Sequence, residues 1–285
     1  MTTKVLVTGA NGQLAKSISE LNTSDEKIEW TFLDKEKLDI SDFKSVQQFL
    51  LEEKFDYCIN CAAYTNVEQA EEENGKANLV NALAVGNLAK SCAVTNTVLI
   101  HISTDYVFDG QKKAPYSETD TTNPLSIYGK TKLHGEYQII ENCTEYFILR
   151  TSWLYSKFGK NFLKTIVKKI KNNEKLKIVD SQVGVPTSTM LVARFVTYLI
   201  NNRINQHGVY NVSPDGQTSW YGFAREIASY FTNYPDKNIK PTTHVPTKAQ
   251  RPNYSVLDNN KIKSLGFITN SWENDLKAVL KDLDI

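Results

Sequence analysis

Tyr128 and Lys132, in the run Tyr128-Gly129-Lys130-Thr131-Lys132, set a phenol and an ammonium four residues apart. On a helix that spacing brings both onto one face. A free tyrosine has a pKa of about 10, so acid and base work near neutrality requires a stabilised phenolate, which a fixed lysine charge alongside favours. A fall of roughly 3 units demands about 4 kcal/mol of differential stabilisation. One lysine in a dry site supplies part of it, and the positive nicotinamide ring of an oxidised cofactor adds to it. The second chemical run is Thr8-Gly9-Ala10-Asn11-Gly12-Gln13-Leu14-Ala15, which follows the apolar Val5-Leu6-Val7 and precedes a helix predicted from Leu14 to Leu21. That is the strand, turn and helix context of a dinucleotide fingerprint. Gly9 allows the tight turn, Gly12 lets the backbone approach a pyrophosphate, and Ala15 keeps the helix close to the sheet. The helix N-terminus then faces the phosphates. Together the two runs read as a proton donor for carbonyl reduction beside a bound dinucleotide.

The elements that must position them alternate along the chain. Val5 to Thr8, Trp30 to Asp34, Tyr57 to Ala62, Val98 to Ser103 and Phe147 to Thr151 are predicted strands, short and apolar as in a sheet covered on both faces. Between them lie predicted helices, one capped by Asp42 or Ser41 and running to about Lys54, one from Asn78 to Val94, and one from Ser126 to Glu141 that carries Tyr128 and Lys132. The pattern is that of an α/β protein with a Rossmann-type, doubly wound parallel sheet. After about residue 152 the rhythm changes to longer helices (Asn161 to Asn172, Thr187 to Asn201, Ser219 to Phe231, Ser271 to Leu283) separated by short strands and proline turns. Residues 1–152 are therefore expected to form the dinucleotide-binding core and residues 153–285 mainly a smaller substrate-binding lobe, with some return to the core.

Composition is that of an ordinary globular protein. The 285 residues carry 33 basic and 32 acidic side chains for a net charge of +1, so nothing points to nucleic acid or a membrane surface. No apolar run approaches the ~20 residues that span a bilayer, and the N-terminus leads straight into a strand without a signal-peptide core. The expected location is cytoplasmic. Cys58 and Cys61 form a C-x-x-C, but on a strand residues three apart point to opposite faces, which argues against a redox or zinc pair. The four histidines are scattered, and none reads as a metal ligand.

Ordered blocks across nearly the whole chain resemble the dTDP-4-dehydrorhamnose reductases, within the extended short-chain dehydrogenase/reductase superfamily. They include Thr8-Gly9-x-x-Gly12-Gln13-Leu14, Leu38-Asp39-Ile40, Cys61-Ala62-Ala63-Tyr64-Thr65-Asn66-Val67-Glu68, Ser103-Thr104-Asp105-Tyr106-Val107-Phe108-Asp109-Gly110 and Tyr128-Gly129-x-x-Lys132-x-x-Gly135-Glu136. Arg150-Thr151-Ser152-Trp153, Gly184-x-Pro186-Thr187, Ser219-Trp220 and Arg251-Pro252-x-Tyr254-Ser255-x-Leu257 continue the pattern. The resemblance implies reduction of the C4 ketone of dTDP-4-dehydro-L-rhamnose to dTDP-L-rhamnose with NADPH or NADH, a nucleotide-sugar partner, and a monomer or weak homodimer.

In that reading Tyr128 protonates the developing alkoxide, while Lys132 holds Tyr128 acidic and bonds the nicotinamide ribose. Thr104, just past its strand, bonds the same oxygen. Ser103 competes for that role, and the family pattern favours Thr104. Gly9, Gly12, Gln13, Leu14, Asp34, Asp39, Ile40, Ala62, Ala63 and Thr65 would line the dinucleotide. Asp34 suits the ribose hydroxyls of NAD and Lys35 the 2′-phosphate of NADP, which leaves the choice open. Thr104, Asp105 and Tyr106 would lie along the sugar, Trp153 against sugar or nucleotide, and Arg251 either at the pyrophosphate or in a surface salt bridge. Some relatives bind magnesium through acidic residues where this chain has Ser17 and Met190, neither a hard-cation ligand, so no metal is expected. A 4,6-dehydratase would want a glutamate where Tyr106 follows Asp105. Two other readings are a reductase of another nucleotide-linked 4-keto-6-deoxysugar and a non-catalytic NADP-binding protein like the regulatory subunit of methionine adenosyltransferase. Retention of Thr104, Tyr128 and Lys132 together speaks against the second.

Overall fold

Six short strands come first in any account of the computed structural model, which describes residues 2–22 and 27–285. They are β1 (Thr3–Thr8), β2 (Ile28–Leu33), β3 (Tyr57–Asn60), β4 (Val98–Thr104), β5 (Tyr146–Thr151) and β6 (Gly208–Asn211). They pair in parallel in the order β6-β5-β4-β3-β1-β2. β1 lies between β2 and β3, so the strand order reverses there, and the crevice beyond the C-terminal ends of β1 and β3 is where open α/β sheets bind ligands.

Both faces are covered because the strands are apolar on both sides. Helices α1 (Gln13–Leu21), α2 (Phe43–Glu53), α3 (Ala84–Thr95) and α4 (Ile127–Asn142) alternate with the strands. Leu6, Cys58, Leu99 and Ile148 pack under Val46 and Leu50 of α2, Val85 and Leu88 of α3, and Ile139 of α4. On the other face Val5, Val7, Ile59, Ile100 and Phe147 meet Leu14 and Ile18 of α1. That face is completed from the second half of the chain: after α5 (Phe162–Lys171) comes α6 (Thr189–Asn201), whose Leu191, Phe195 and Leu199 join the same core. The chain then adds β6 at the edge of the sheet.

A second core gathers Leu163, Ile166 and Ile170 of α5 with Phe223 and Ile227 of α7 (Trp220–Ser229) and Leu276 and Leu280 of α8 (Trp272–Lys281). Side-chain caps set the helix starts. Asp42, Ser126, Asn161, Ser188, Ser219 and Ser271 each accept a backbone N–H of the first turn. Between the two candidate caps for α2, the structure chooses Asp42, while Ser41 bonds Asp39 instead. β3 stops at Asn60 rather than running on to Ala62, because the Ala62 N–H is taken by the Asn60 side chain. All four cysteines are free thiols. Among the described residues, no helix is long and apolar enough to cross a membrane.

Candidate active site

The glycine loop and the loop after β3 approach each other at backbone distance. Gly9 has φ +68°, and a Cβ there would stand 2.7 Å from the Ala62 nitrogen. Only glycine meets both demands at once. The contact forms the floor of a trough in two adjoining cavities. One of ≈ 330 Å³ is lined by Gly12, Gln13, Ala62, Thr65, Tyr128 and Lys132, among others. The other, of ≈ 380 Å³, is lined by Gly9, Asp34, Lys35, Asp39 and Ile40, and shares Gly12, Ala62, Ala63 and Thr65 with the first. A trough that crosses the switch point over a helix N-terminus suits an extended molecule with a pyrophosphate in its middle.

Several of the residues expected to hold a dinucleotide have a second task here. The Gln13 amide is drawn across the trough, donating to the Leu154 carbonyl at 3.4 Å and accepting from the Ser156 hydroxyl at 3.2 Å. Leu14 packs into the core as well as lining the cavity. Asp34 accepts from the Asn11 amide at 3.0 Å and the Lys37 N–H, while Lys35 pairs with Asp39 at 3.5 Å. Ser17 is buried, its hydroxyl 2.5 Å from that of Thr189.

α4 delivers the reactive pair to this trough. Ser126 caps it through the Gly129 N–H at 3.1 Å. Gly129 is there because the helix lies directly on the turn after β4: a Cβ at that position would be 2.3 Å from the Tyr106 carbonyl oxygen. One turn beyond Lys132, Glu136 receives Arg150 of β5 bidentately, with Nη2 at 2.7 Å and Nε at 3.0 Å, and the Ser103 hydroxyl at 2.5 Å. All three side chains are buried. Ser103 is therefore engaged in holding the helix. Ser103 lines the trough all the same, while Thr104 accepts from the Tyr106 N–H at 3.2 Å and donates to Asp105 Oδ1 at 3.1 Å.

The electrostatics differ from the simple pairing expected of Tyr128 and Lys132. Enclosure of its hydroxyl pushes the Tyr128 phenol above its ordinary range, with the Thr104 hydroxyl pulling the other way. The Lys132 amine donates to the Ile102 carbonyl at 2.6 Å and stands 3.1 Å from His101 Nε2. Burial pushes Lys132 down to about 8, against the Glu136 carboxylate. Loss of hydration outweighs charge attraction in this form of the site. Asp105 is likewise pushed up to about 6 by burial.

The side expected to take substrate is framed by aromatic and charged groups. Tyr106 meets Tyr128 edge-on, with ring centroids 5.7 Å apart. Trp153 adopts φ +46° and stacks on Trp220 at 3.7 Å. Of the two alternatives for Arg251, the structure shows the salt bridge: Nη2 donates to Glu68 at 2.8 Å. Arg251 still borders a cavity of ≈ 670 Å³ shared with Asp109 and Lys248.

Residue reasoning assigned no role to Asn60, His101, Glu136, Arg150 or Trp220. The alternation Leu99, His101, Ser103, with polar groups toward the C-terminal end of β4, was the available signal that this face of the strand looks into the site.

Residues 3–285 match the family described as RmlD substrate binding domain. The dTDP-4-dehydrorhamnose reductase of Aggregatibacter actinomycetemcomitans is 36% identical over 97% of this chain and 98% of its own. The crystal structure of a dTDP-4-dehydrorhamnose reductase from Clostridium acetobutylicum superposes with a TM-score of 0.94 at 39% identity, covering 99% of this chain and 100% of that one. That of the Bacillus anthracis dTDP-4-dehydrorhamnose reductase in complex with NADP gives 0.94 at 37% identity, with the same coverage.

Proposed function

The chain belongs to the RmlD family of dTDP-4-dehydrorhamnose reductases, and we propose that it catalyses reduction of the C4 ketone of dTDP-4-dehydro-L-rhamnose to dTDP-L-rhamnose. The observation that carries this reading is that Tyr128 lines the same trough as Gly12, Ala62 and Lys132. NADPH or NADH, when bound, supplies the hydride. Gly9, Gly12, Ala62, Ala63 and Thr65 fit such a cofactor, because the backbone contact at Gly9 leaves the trough open along its length.

The chain's own residues manage the proton. A phenol kept fully protonated by burial is a donor in its loaded state, and it gives its proton to the ketone oxygen as that oxygen gains charge. Thr104 donates a hydrogen bond to the same oxygen once it turns from Asp105. Lys132 is placed to bond the ribose hydroxyls and, as an ammonium, favours the phenolate left behind. Tyr106, Asp105, Trp153 and Arg251 border the sugar and nucleotide. The same reading has the protein working in the cytoplasm as a monomer or weak homodimer. Ser17 and Met190, in place of acidic residues, support the weak contact.

The test is oxidation of NADPH and of NADH, followed by absorbance, with freshly epimerised dTDP-4-dehydro-L-rhamnose and with the unepimerised 4-keto-6-deoxyglucose nucleotide. Consumption with the epimerised sugar alone is expected. Consumption with the control as well would move the substrate to another deoxysugar, and cofactor binding without consumption of either would overturn the enzymatic reading.

A further inference from the structure

Behind Lys132 lies a hydrogen-bond chain whose direction is set by the backbone. The Asn60 Oδ1 stands 3.2 Å from the Ala62 N–H, which can only donate, and 2.7 Å from the Thr8 hydroxyl. The Asn60 amide therefore has one orientation open to it, with Nδ2 facing His101 Nδ1 at 3.1 Å as a donor. A ring nitrogen that accepts carries no proton, so the proton of neutral His101 sits on Nε2. That N–H points at Lys132 Nζ, 3.1 Å away. Only an unprotonated amine has a lone pair to receive it, and the amine's own hydrogens remain for the Ile102 carbonyl at 2.6 Å. An ammonium would meet a donor head-on.

We propose that Asn60 and His101 are positioning residues that set the charge state of Lys132, presenting its amine with an N–H instead of an acceptor. The proposal rests on the reading of Tyr128 and Lys132 as the reacting pair. Burial acts in the same direction, since Lys132 is pushed down to about 8 and His101 well below its ordinary range, with the Lys132 charge adding to the effect on the ring. His101 is completely buried and cannot relieve the mismatch by taking a second proton at little cost. The other groups that face the amine are few. Glu136 on α4 favours the ammonium, but Arg150 from β5 occupies that carboxylate bidentately. Tyr128 stands on the same helix face, and Asp105 beyond β4 acts on its phenol. The consequence is a lysine whose charge is available to the phenolate only within a pH window that the buried ring fixes.

The experiment uses the cofactor-free protein. ¹⁵N spectra of the imidazole report the tautomer, and the ¹³Cε shift of Lys132 reports its titration. The Nε2–H tautomer is expected, with Lys132 titrating near 8. His101→Gln adds no charge and can turn a carbonyl toward Nζ. In Asn60→Asp the new carboxylate accepts from the Ala62 N–H and pulls the ring proton to Nδ1, which turns Nε2 into an acceptor. Both should raise the Lys132 midpoint by about one pH unit, a tenfold gain in proton affinity, and should move the alkaline limb of kcat/KM with it. An Nδ1–H tautomer in the parent protein, or an unmoved Lys132 midpoint in both folded variants, would overturn the proposal. Neither spectrum needs the sugar, so failure of the reductase assay and failure of this inference are separate results.

Discussion

At the scale of single residues, the site is governed by what burial does to charge. Tyr128 is held as a phenol, Lys132 is drawn toward a neutral amine, and Asp105 is drawn toward a neutral acid, all by loss of hydration. Tyr128→Phe deletes one hydroxyl and little volume, so turnover should fall by about 10²- to 10⁴-fold, the usual worth of a positioned general acid. NADPH affinity, read by quenching of its fluorescence, should change little, and near-native turnover would place the proton source elsewhere. Asp105 carries a sign that can be worked out. Its carboxyl is raised from 3.8 to about 6 in the fold, so the folded protein binds more protons than the unfolded chain between those values. It therefore costs nothing below 3.8 and becomes progressively destabilising as pH climbs to about 6. A shift of roughly 2 units corresponds to about 3 kcal/mol. Asp105→Asn should raise stability at pH 7 by up to ~3 kcal/mol in urea unfolding, with the difference falling below ~1 kcal/mol at pH 4. Equal stabilities of the two proteins at both pH values would refute this.

At the scale of elements, α4 is the part on which the chemistry depends, and it is fixed at its first turn and at its middle. Ser126 and Gly129 dock its first turn on the loop after β4, and Glu136 clamps its middle to Arg150 of β5 and Ser103 of β4. Glu136→Ala would leave the buried guanidinium without its partner, which costs about 3–5 kcal/mol. The variant should lose that much in chemical denaturation. Combining Glu136→Leu with Arg150→Met should recover a large part, because two apolar side chains leave no uncompensated charge. A loss below 1 kcal/mol in the single variant would show that solvent reaches Arg150 and that the clamp holds little. The helix was legible in the chain, down to Ser126 as its start. The clamp was not, because Ser103, Glu136 and Arg150 lie on three elements far apart in sequence and nothing local marks them as partners.

At the scale of the whole molecule, the two halves share one sheet. α6 and β6 come from beyond residue 152, yet they cover one face of the sheet and extend its edge. A fragment of residues 1–152 would lack the α6 half of the core around Val5, Val7, Ile59, Ile100 and Phe147 and would leave the edge of β5 open. It should show no cooperative unfolding transition and should bind a hydrophobic dye, whereas a sharp transition with retained NADPH binding would show that the first half folds alone. What the chain determined by itself were features of local origin: the period-2 and period-3.6 patterns behind the strands and helices, the glycine at a left-handed turn, the helix caps, and the shared face of Tyr128 and Lys132. These depend on neighbours within about one helical turn. Only the tertiary structure decided that Arg251 meets Glu68, that Trp153 stacks on Trp220, and that His101 stands behind Lys132. Hydrogen-bond direction and burial belong to groups brought together across the fold, and in this site they set which protons the reacting residues carry.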